Sequence, residues 1–144
     1  MLQCRMRMII SMVLLLLCSS ALASEIMKVS VSGVDRIFHL EAAFSEEEKL
    51  NGLMHRTKLD SSDGMIFIYN EPETVKMWMK NTLIPLDMIF ADMKGRIVYI
   101  REKTVPLSLE KIGPDIPVSY IIELSAGEVE KHRIRIADTI TISR

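Results

Sequence analysis

The chain has 144 residues, of which 49% are hydrophobic, and its 18 basic and 19 acidic residues give a formal net charge of −1. This length fits one domain that can bury a core without disulfide bonds to support it. Because the charge balance is not basic, nucleic acid is not expected as a partner.

Residues 1–23 have the features of a signal peptide. Arg5 and Arg7 form a positive n-region ahead of an apolar run, and residues 21–23 carry small side chains at the positions that signal peptidase requires. The apolar run is shorter than the roughly 20 residues of a membrane span. We therefore expect an exported protein, periplasmic or secreted and not membrane-embedded, whose mature chain comprises residues 24–144.

Cleavage at this point would change the composition of the protein. It would remove both cysteines, Cys4 and Cys18, so the mature chain is predicted to have no thiol, disulfide or cysteine-bound metal. It would also remove two of the 18 basic residues and none of the 19 acidic ones, which changes the net charge from −1 to −3. Lipid attachment at Cys18 is an alternative, but Leu17 stands where a small residue is expected. We expect a monomer without a cofactor.

The first mature segment predicts a β-hairpin followed by a helix. Met27–Val31 alternates apolar and polar residues, residues 32–35 form a turn, and Arg36–Ala43 alternates again. Ser45 can then cap the first-turn amides of a helix, and Glu48 stands at the reciprocal position of a capping box.

Leu50, Leu53 and Met54 continue this helix as a narrow apolar stripe. Gly52 lies among them and indicates close approach to a neighbouring backbone. Arg56 follows, and two interpretations of it stay open. It is either a solvated residue that complements the helix dipole or an anion clamp that reaches into a binding site.

The stretch Val75–Asp92 has the composition of a recognition surface. Residues 75–79 alternate as a strand does, with Trp78 on the polar face, and Pro85 bends the chain after them. The side chains of this stretch that could contact a ligand are Trp78, Lys80, Asn81, Thr82 and Asp87. The other interpretation makes Trp78 a core anchor and Asp87 a turn-former.

The remaining elements are mostly short strands. They are predicted at Met65–Tyr69, Met88–Ala91, Ile97–Ile100, Tyr120–Leu124 and around Ile134–Ile140, with a hairpin turn at 92–95, a surface loop over 101–117 and a short helix after Gly127. Glu123 is conspicuous inside an apolar strand. Eight short strands and two small helices predict a mainly β fold, a compact single-domain β-barrel or β-sandwich.

Several motifs occur in a characteristic order along the mature chain. They are Gly52–Arg56, Gly64–Phe67, Trp78–Thr82, Pro85–Asp87, Ile89–Phe90, Glu123–Leu124 and Ala126–Gly127. In this pattern, over about residues 27–142, the chain resembles the family catalogued as domain of unknown function 192, also called uncharacterised protein family 0127. The resemblance implies a small, mostly β domain, often exported, with no established activity. Where that family commonly has glycines before its last strand, this chain has Arg133 and Ala137.

The pattern behind the resemblance mixes aromatic, amide, hydroxyl and charged side chains, which favours a ligand surface over core packing alone. The expected ligand-binding residues are Arg56, Trp78, Lys80, Asn81, Thr82, Asp87 and Glu123. The first interpretation is a binding or accessory module. It would stack a sugar-like or other polar ligand on Trp78 and orient it with the polar groups.

Two other classes of function compete with this one, so catalysis stays an open question. A hydrolase could use Asp87 and Glu123 as paired carboxylates if burial keeps one of them protonated. No nucleophile–base motif accompanies them. A periplasmic Cu(I)-binding protein could use Met77 and Met79, because thioethers suit Cu(I). Exposure discriminates here, since core methionines are buried among aliphatic side chains.

Overall fold

The alternating residues of the first mature segment form the predicted hairpin. The computed structural model describes residues 24–59 and 63–144, and the predicted signal peptide lies outside these described residues. Strands β1 (Ile26–Val31) and β2 (Ile37–Ala43) pair antiparallel, with Val29 opposite Phe38. Both of these side chains are buried, as period-2 alternation requires of the core-facing side of a strand.

Five further strands and two short helices follow in the part of the chain that the structure describes. They are α1 (Glu46–Asn51), β3 (Gly64–Glu73), β4 (Leu86–Ala91), β5 (Ile97–Arg101), β6 (Val118–Ser125), α2 (Glu128–His132) and β7 (Ile140–Ser143). The hairpin turn between β4 and β5 and the helix after Gly127 are confirmed. Across residues 24–59 and 63–144, no helix combines the length and the apolar character needed to cross a bilayer.

The seven strands of the described chain form one curled sheet in the order β5-β4-β6-β3-β2-β1-β7. Neighbours run antiparallel except for the parallel pair β2 and β3. The two edges of the sheet meet at one end, where Ile97 N–H donates to the Asp138 carbonyl at 2.8 Å and Ile140 N–H donates to the Gly95 carbonyl at 2.8 Å. This half-barrel with two short helices confirms the mainly β, barrel-like prediction.

Apolar side chains are buried on both faces of the sheet. On one side, Leu40 and Ile122 pack with Val129 of α2, and we call this side the α2 face. On the other side, Phe67 packs in a second core with Leu53, which follows α1, and we call this side the α1 face. Because successive strand residues point to opposite faces, strands β2 to β6 contribute to both cores, whereas the core residues of β1 and β7 lie on the α2 face.

Helix α1 begins with the predicted capping box and ends earlier than predicted. The Ser45 hydroxyl accepts the Glu48 N–H at 3.2 Å, and the Glu48 carboxylate accepts the Ser45 N–H at 2.8 Å. Gly52 ends the helix with φ 47°. Leu50 is 66% exposed, so the predicted apolar stripe is wrong at that position, whereas Leu53 is buried beyond the end of the helix.

The predicted strand over residues 75–79 is wrong. Met77 forms only an isolated antiparallel bridge with Ile112. A Cβ on the neighbouring Gly113 would lie 2.7 Å from a backbone carbonyl oxygen of the facing segment. Pro114 then follows without a backbone donor, so the ladder cannot extend in that direction.

The last strand begins later than predicted, and the described chain has seven strands instead of eight. Most of the predicted span Ile134–Ile140 lies outside the strand, with a turn at residues 136–137, and β7 pairs with β1 from Ile140 onward. Arg133 and Ala137 have φ of 57° and 78°, in the left-handed region that favours glycine. The backbone at these two positions therefore has the geometry that a glycine would adopt, although neither residue is glycine.

Candidate functional site

A groove lies on the α1 face of the sheet, beside helix α1 and the segment that follows β3. Its cavity measures about 420 Å³. One side runs from Glu46 to Met54, the other comprises residues 73–78 with Thr82, and the sheet contributes Phe67, Tyr69 and Glu123. We call this cavity the α1 groove.

Strand β6 places Glu123 where the sheet meets the groove. Its neighbours in register are Met65 on β3 and Met88 on β4, and only 4% of the residue is exposed. Its Oε2 atom is buried without a hydrogen-bond partner among residues 24–59 and 63–144. Burial raises the pKa of this carboxyl to about 8, although the positive charge of Arg56 acts in the opposite direction. At neutral pH the group is therefore mainly a protonated acid that can donate a hydrogen bond.

Gly52 leaves space open beside this carboxyl. A Cβ at position 52 would lie 3.2 Å from Cζ of Phe67 and 3.8 Å from Oε2 of Glu123. A larger side chain would therefore fill the part of the groove next to the acid. The close approach predicted for this glycine exists, but its partners are side chains and not a neighbouring backbone.

Two aromatic rings of the groove each form a cation–π contact with the ammonium group of a lysine. Lys80 Nζ lies 5.0 Å from the centroid of the Trp78 ring, and Lys49 Nζ lies 4.4 Å from that of Tyr69. Trp78 is 38% exposed, so part of its ring remains available to a ligand. Burial, followed by nearby carboxylates, raises the pKa of the Tyr69 hydroxyl to about 12, which keeps it protonated.

The two lysines that line the groove have anionic or carbonyl partners. Lys49 Nζ donates to the Glu46 carboxylate at 2.8 Å. Lys76 Nζ donates to the Asp115 carboxylate at 2.8 Å and to the Gly113 carbonyl at 2.6 Å. The lining therefore offers polar groups whose positive charges are already balanced.

Arg56 lies beside the groove and forms an ion pair with a carboxylate of the sheet. Its guanidinium donates to both carboxylate oxygens of Glu41, at 2.5 and 2.7 Å. Glu41 stands on β2 in register with Met65, on the α1 face. Arg56 is therefore a partly buried ion-pair partner and not a solvated residue at a helix end, and its predicted contact with a ligand stays a prediction.

Three more of the predicted ligand contacts lie close together along residues 80–82. Thr82 is buried and lines the groove, and its hydroxyl donates to the Lys80 carbonyl at 3.2 Å. The Asn81 carbonyl accepts the His55 N–H at 2.8 Å, which ties this bend to the chain after α1. Lys80 and Asn81 are exposed beside the groove and are not among its lining residues.

Asp87 lies away from the groove, inside β4 and not in a turn. It is fully buried, and its carboxylate accepts three backbone N–H groups, from Lys103 at 2.8 Å and from Gly127 and Val129 at 2.9 Å each. The last two amides belong to the start of α2. The carboxylate thus holds α2 and the chain after β5 against β4.

Strand register separates Asp87 from Glu123. Asp87 faces Leu124, and Met88 faces Glu123 in the β4–β6 pair. Paired residues share a face of the sheet and successive residues alternate, so the two carboxyl groups point to opposite faces. The predicted hydrolase with these two groups as paired carboxylates is therefore wrong, because the sheet itself stands between them.

Comparison with known protein families shows which family this chain belongs to. The sequence model of domain of unknown function 192 (DUF192), described as "Uncharacterized ACR", matches residues 27–142. The chain belongs to this family. The resemblance predicted from the motifs is confirmed, and no curated protein matches the chain.

Two crystal structures share the half-barrel of this DUF192 protein. A protein described as a candidate transcription regulator from Sinorhizobium meliloti 1021 is 34% identical, with a TM-score of 0.79 over 83% of this chain and 95% of that chain. A protein of unknown function from Novosphingobium aromaticivorans DSM 12444 is 30% identical, with a TM-score of 0.75 over 85% of this chain and 89% of that chain.

The two methionines considered for Cu(I) in this DUF192 chain pack against the core of the α1 face. Met79 is fully buried, and its sulfur accepts the Thr104 hydroxyl at 3.2 Å. Met77 is partly buried beside the same core. The exposure criterion therefore favours packing for this pair. Within the described ranges, no cluster of three or more His, Cys, Asp or Glu side chains could hold a metal ion.

The groove residues missed by reasoning from the sequence include Lys49, Tyr69 and Glu73. The apolar run Met65–Tyr69 predicts a strand buried on both faces, which gives no sign that Tyr69 lies at the groove. The period-2 spacing of Phe67, Tyr69 and Glu73 is the signal that could have placed them on one face. Lys49 could have been found from its three-residue spacing to Glu46, which is typical of a helical ion pair.

Proposed function

We propose that this DUF192 protein is a binding module that holds a small polar ligand in the α1 groove. The observation that carries the proposal is the buried carboxyl of Glu123, whose Oε2 atom has no hydrogen-bond partner among the described residues and lies at a cavity of about 420 Å³. A buried polar group without a hydrogen bond costs about 1–3 kcal/mol. A ligand that bonds to this carboxyl would remove that cost, so the open group is a natural contact for one.

Trp78 supports the same proposal from the rim of the groove. Its partly exposed ring offers an apolar surface suited to the face of a sugar or a similar ring. Of the ligand contacts predicted from the sequence, Trp78, Thr82 and Glu123 line one cavity. We propose Lys80 and Asn81 as contacts at the rim, and we leave Asp87 out of the ligand site.

The description of the Sinorhizobium protein as a regulator is not extended to this chain. Binding to DNA depends on neutralising phosphates with surplus lysine and arginine. This chain has a formal net charge of −1, and the lysines that line its groove are paired.

An NMR titration of isotope-labelled protein produced from the full chain tests the proposed function. The panel contains neutral sugars, small amines and small carboxylates. We expect at least one compound to shift the Trp78 indole N–H together with the amides of Gly52 and Thr82. Trp78→Ala should weaken that binding about tenfold, as loss of a stacking contact of about 1.4 kcal/mol would.

Leu109→Ala is the matched control, because Leu109 is an exposed apolar side chain that is not among the lining residues. It should leave the affinity unchanged. The proposed function is wrong if no compound shifts the three groove signals together, or if Trp78→Ala and Leu109→Ala have equal effects.

We further propose that the protein is exported as a monomer after removal of residues 1–23. The positive n-region, the short apolar run and the small residues before Ser24 support export and cleavage. Intact mass of the exported protein should correspond to a chain that begins at Ser24, and light scattering should give the mass of one copy. A mass that retains residues 1–23, or that includes a lipid on Cys18, would contradict the cleavage.

A further inference from the structure

The paired charges of the α1 groove argue against an anionic ligand. Lys49 pairs with Glu46, and Lys76 pairs with Asp115. An anion would have to compete with these carboxylates for the two lysines that line the groove. It would also lie close to the carboxylates themselves, which repel it.

A cationic ligand meets like charge at the aromatic rings. The ammonium groups of Lys49 and Lys80 already lie over Tyr69 and Trp78. A second cation at either ring would stand within a few ångströms of one of these lysines. Glu123 would not offset this repulsion at neutral pH, because burial keeps its carboxyl protonated.

The carboxyl of Glu123 needs a partner that can both donate and accept a hydrogen bond. Its in-register neighbours are Met65 and Met88, whose thioether sulfurs are only weak acceptors. Gly52 leaves the adjacent space open. A ligand hydroxyl has a donor and acceptor lone pairs, so it matches the protonated carboxyl on both counts.

We propose that the α1 groove takes an uncharged, polyhydroxylated ligand, one hydroxyl of which accepts a hydrogen bond from the carboxyl of Glu123. This inference rests on the proposed binding function. It narrows the small polar ligands proposed there to uncharged ones. This hydrogen bond requires the protonated form of Glu123. The affinity should therefore fall as the pH rises through the pKa of this carboxyl, about 8.

Other charged and titratable groups surround Glu123 on every element packed near it. They are Arg56 after α1, Glu41 on β2, Tyr69 and Glu73 on β3, Glu46 and Lys49 on α1, and Lys76 and Lys80 on the segment after β3. Burial raises the pKa of Tyr69 to about 12, above the range to be tested. The pKa of Glu123, about 8, lies within that range.

Three pyranoses that differ mainly in charge serve as probes: glucose, glucosamine as its ammonium form, and glucuronate. Each is titrated at pH 6 into protein produced from the full chain, with the Trp78 indole N–H and the Gly52 and Thr82 amides as reporters. We expect glucose to bind at least about fivefold more tightly than either charged probe. Raising the pH from 6 to 9 should weaken glucose binding about tenfold, because a carboxyl with a pKa of about 8 is then protonated in roughly one molecule of eleven.

Two variants of Glu123 separate hydrogen bonding from fold. Glu123→Gln keeps a donor and an acceptor but does not titrate, so glucose should bind within about threefold of the wild type and show no change between pH 6 and 9. Glu123→Leu has similar bulk but cannot form the bond, so the affinity should fall about tenfold or more. Thermal unfolding of both variants shows whether either change acts through loss of the fold.

The outcomes distinguish this inference from the proposed function. If glucosamine or glucuronate binds at the three reporter groups more tightly than glucose, or if Glu123→Gln keeps the pH effect, the inference is overturned and the binding function stands. If no pyranose shifts the NMR signals of the three reporter groups but another compound of the wider panel does, this inference fails and the binding function stands. If no compound of either set shifts them, both proposals fail.

Discussion

Asp87 and Glu123 stand on neighbouring strands, one step apart in register, and point to opposite faces of the sheet. The Asp87 carboxylate accepts three backbone N–H groups on the α2 face. The Glu123 carboxyl lies on the α1 face at the groove, where its Oε2 atom has no hydrogen-bond partner in the part of the chain that the structure describes. One acid is thus committed to holding α2 and a loop in place, while the other remains open to a ligand.

Asp87→Asn should lower the free energy of unfolding by about 3 kcal/mol, because the amide oxygen can replace only one of the two carboxylate oxygens. Its NH₂ group must then face a backbone N–H, so a charge-assisted bond is lost and two buried donors meet. Urea unfolding at pH 7 measures the change.

Asp92→Asn is the control for this substitution. A single oxygen of Asp92 accepts the N–H groups of Lys94 and Arg96, and an asparagine oxygen can do the same. The loss should stay below about 1 kcal/mol. Equal losses for Asp87→Asn and Asp92→Asn would contradict the role given to the two oxygens of Asp87.

Arg56→Gln and Asp87→Asn should have additive effects, to within about 0.5 kcal/mol, because the two side chains act on opposite faces of the sheet. Arg56→Gln and Glu41→Gln should instead be coupled by about 1 kcal/mol, since both remove the same bidentate ion pair. Double-mutant cycles from urea unfolding measure both quantities. Coupling between positions 56 and 87 would contradict the arrangement described.

The free energy of unfolding should decrease as the pH rises from about 5 to 8. Burial raises the pKa of Glu123 from 4.5 to about 8 in the folded state, so that state binds an extra proton in this window. The stability from this proton is fully present below the unfolded pKa and is lost as the pH rises through the folded pKa. The loss has an upper bound on the order of 5 kcal/mol.

Glu123→Gln removes this titration and keeps the shape of the side chain. Denaturant melts of wild type and variant should therefore nearly coincide at pH 4 and diverge above pH 5, with the variant the more stable at pH 8.5. Parallel stability profiles across this range would show that Glu123 does not titrate as described.

Ala137→Gly should raise the free energy of unfolding by about 0.5–1 kcal/mol. Ala137 adopts φ 78°, where a Cβ is unfavourable by about 1–2 kcal/mol, and glycine removes that strain at a smaller cost in chain entropy. Ala126→Gly is the control, since Ala126 is not among the residues with positive φ. It should destabilise by about 0.5–1 kcal/mol. Thermal melts that show the same sign for both changes would refute the strain argument.

Met79 should behave as a packed core side chain. Met79→Ala should cost about 2–5 kcal/mol because it leaves a cavity, whereas Met79→Leu should cost less than about 1.5 kcal/mol. Competition with a Cu(I) chelator should give the same weak affinity for wild type and for the Met77→Leu, Met79→Leu double variant. A tight stoichiometric Cu(I) complex that the double variant abolishes would establish a metal site.

Features that depend on a few neighbouring residues were predictable from the chain. The capping box of Ser45 and Glu48, the β4–β5 turn and the β1–β2 hairpin are local, because each rests on contacts between residues close in sequence. Membership of DUF192 was predictable for a related reason, since ordered motifs carry the family pattern without any knowledge of the fold. The strand predicted over residues 75–79 does not form, because strand pairing needs a partner segment that can continue the ladder.

The site itself depended on relationships that alternation cannot supply. Alternation shows that neighbours along β4 or β6 point to opposite faces, but it leaves open how one strand is shifted against the other. The hydrogen-bonded register between the strands fixes this shift. In the β4–β6 pair it places Met88, and not Asp87, on the same face as Glu123. Long-range packing likewise gave Arg56 its partner Glu41 and brought Gly52 and Tyr69 to the groove. The sequence by itself determined which residues were polar or aromatic, and the tertiary structure decided which of them meet.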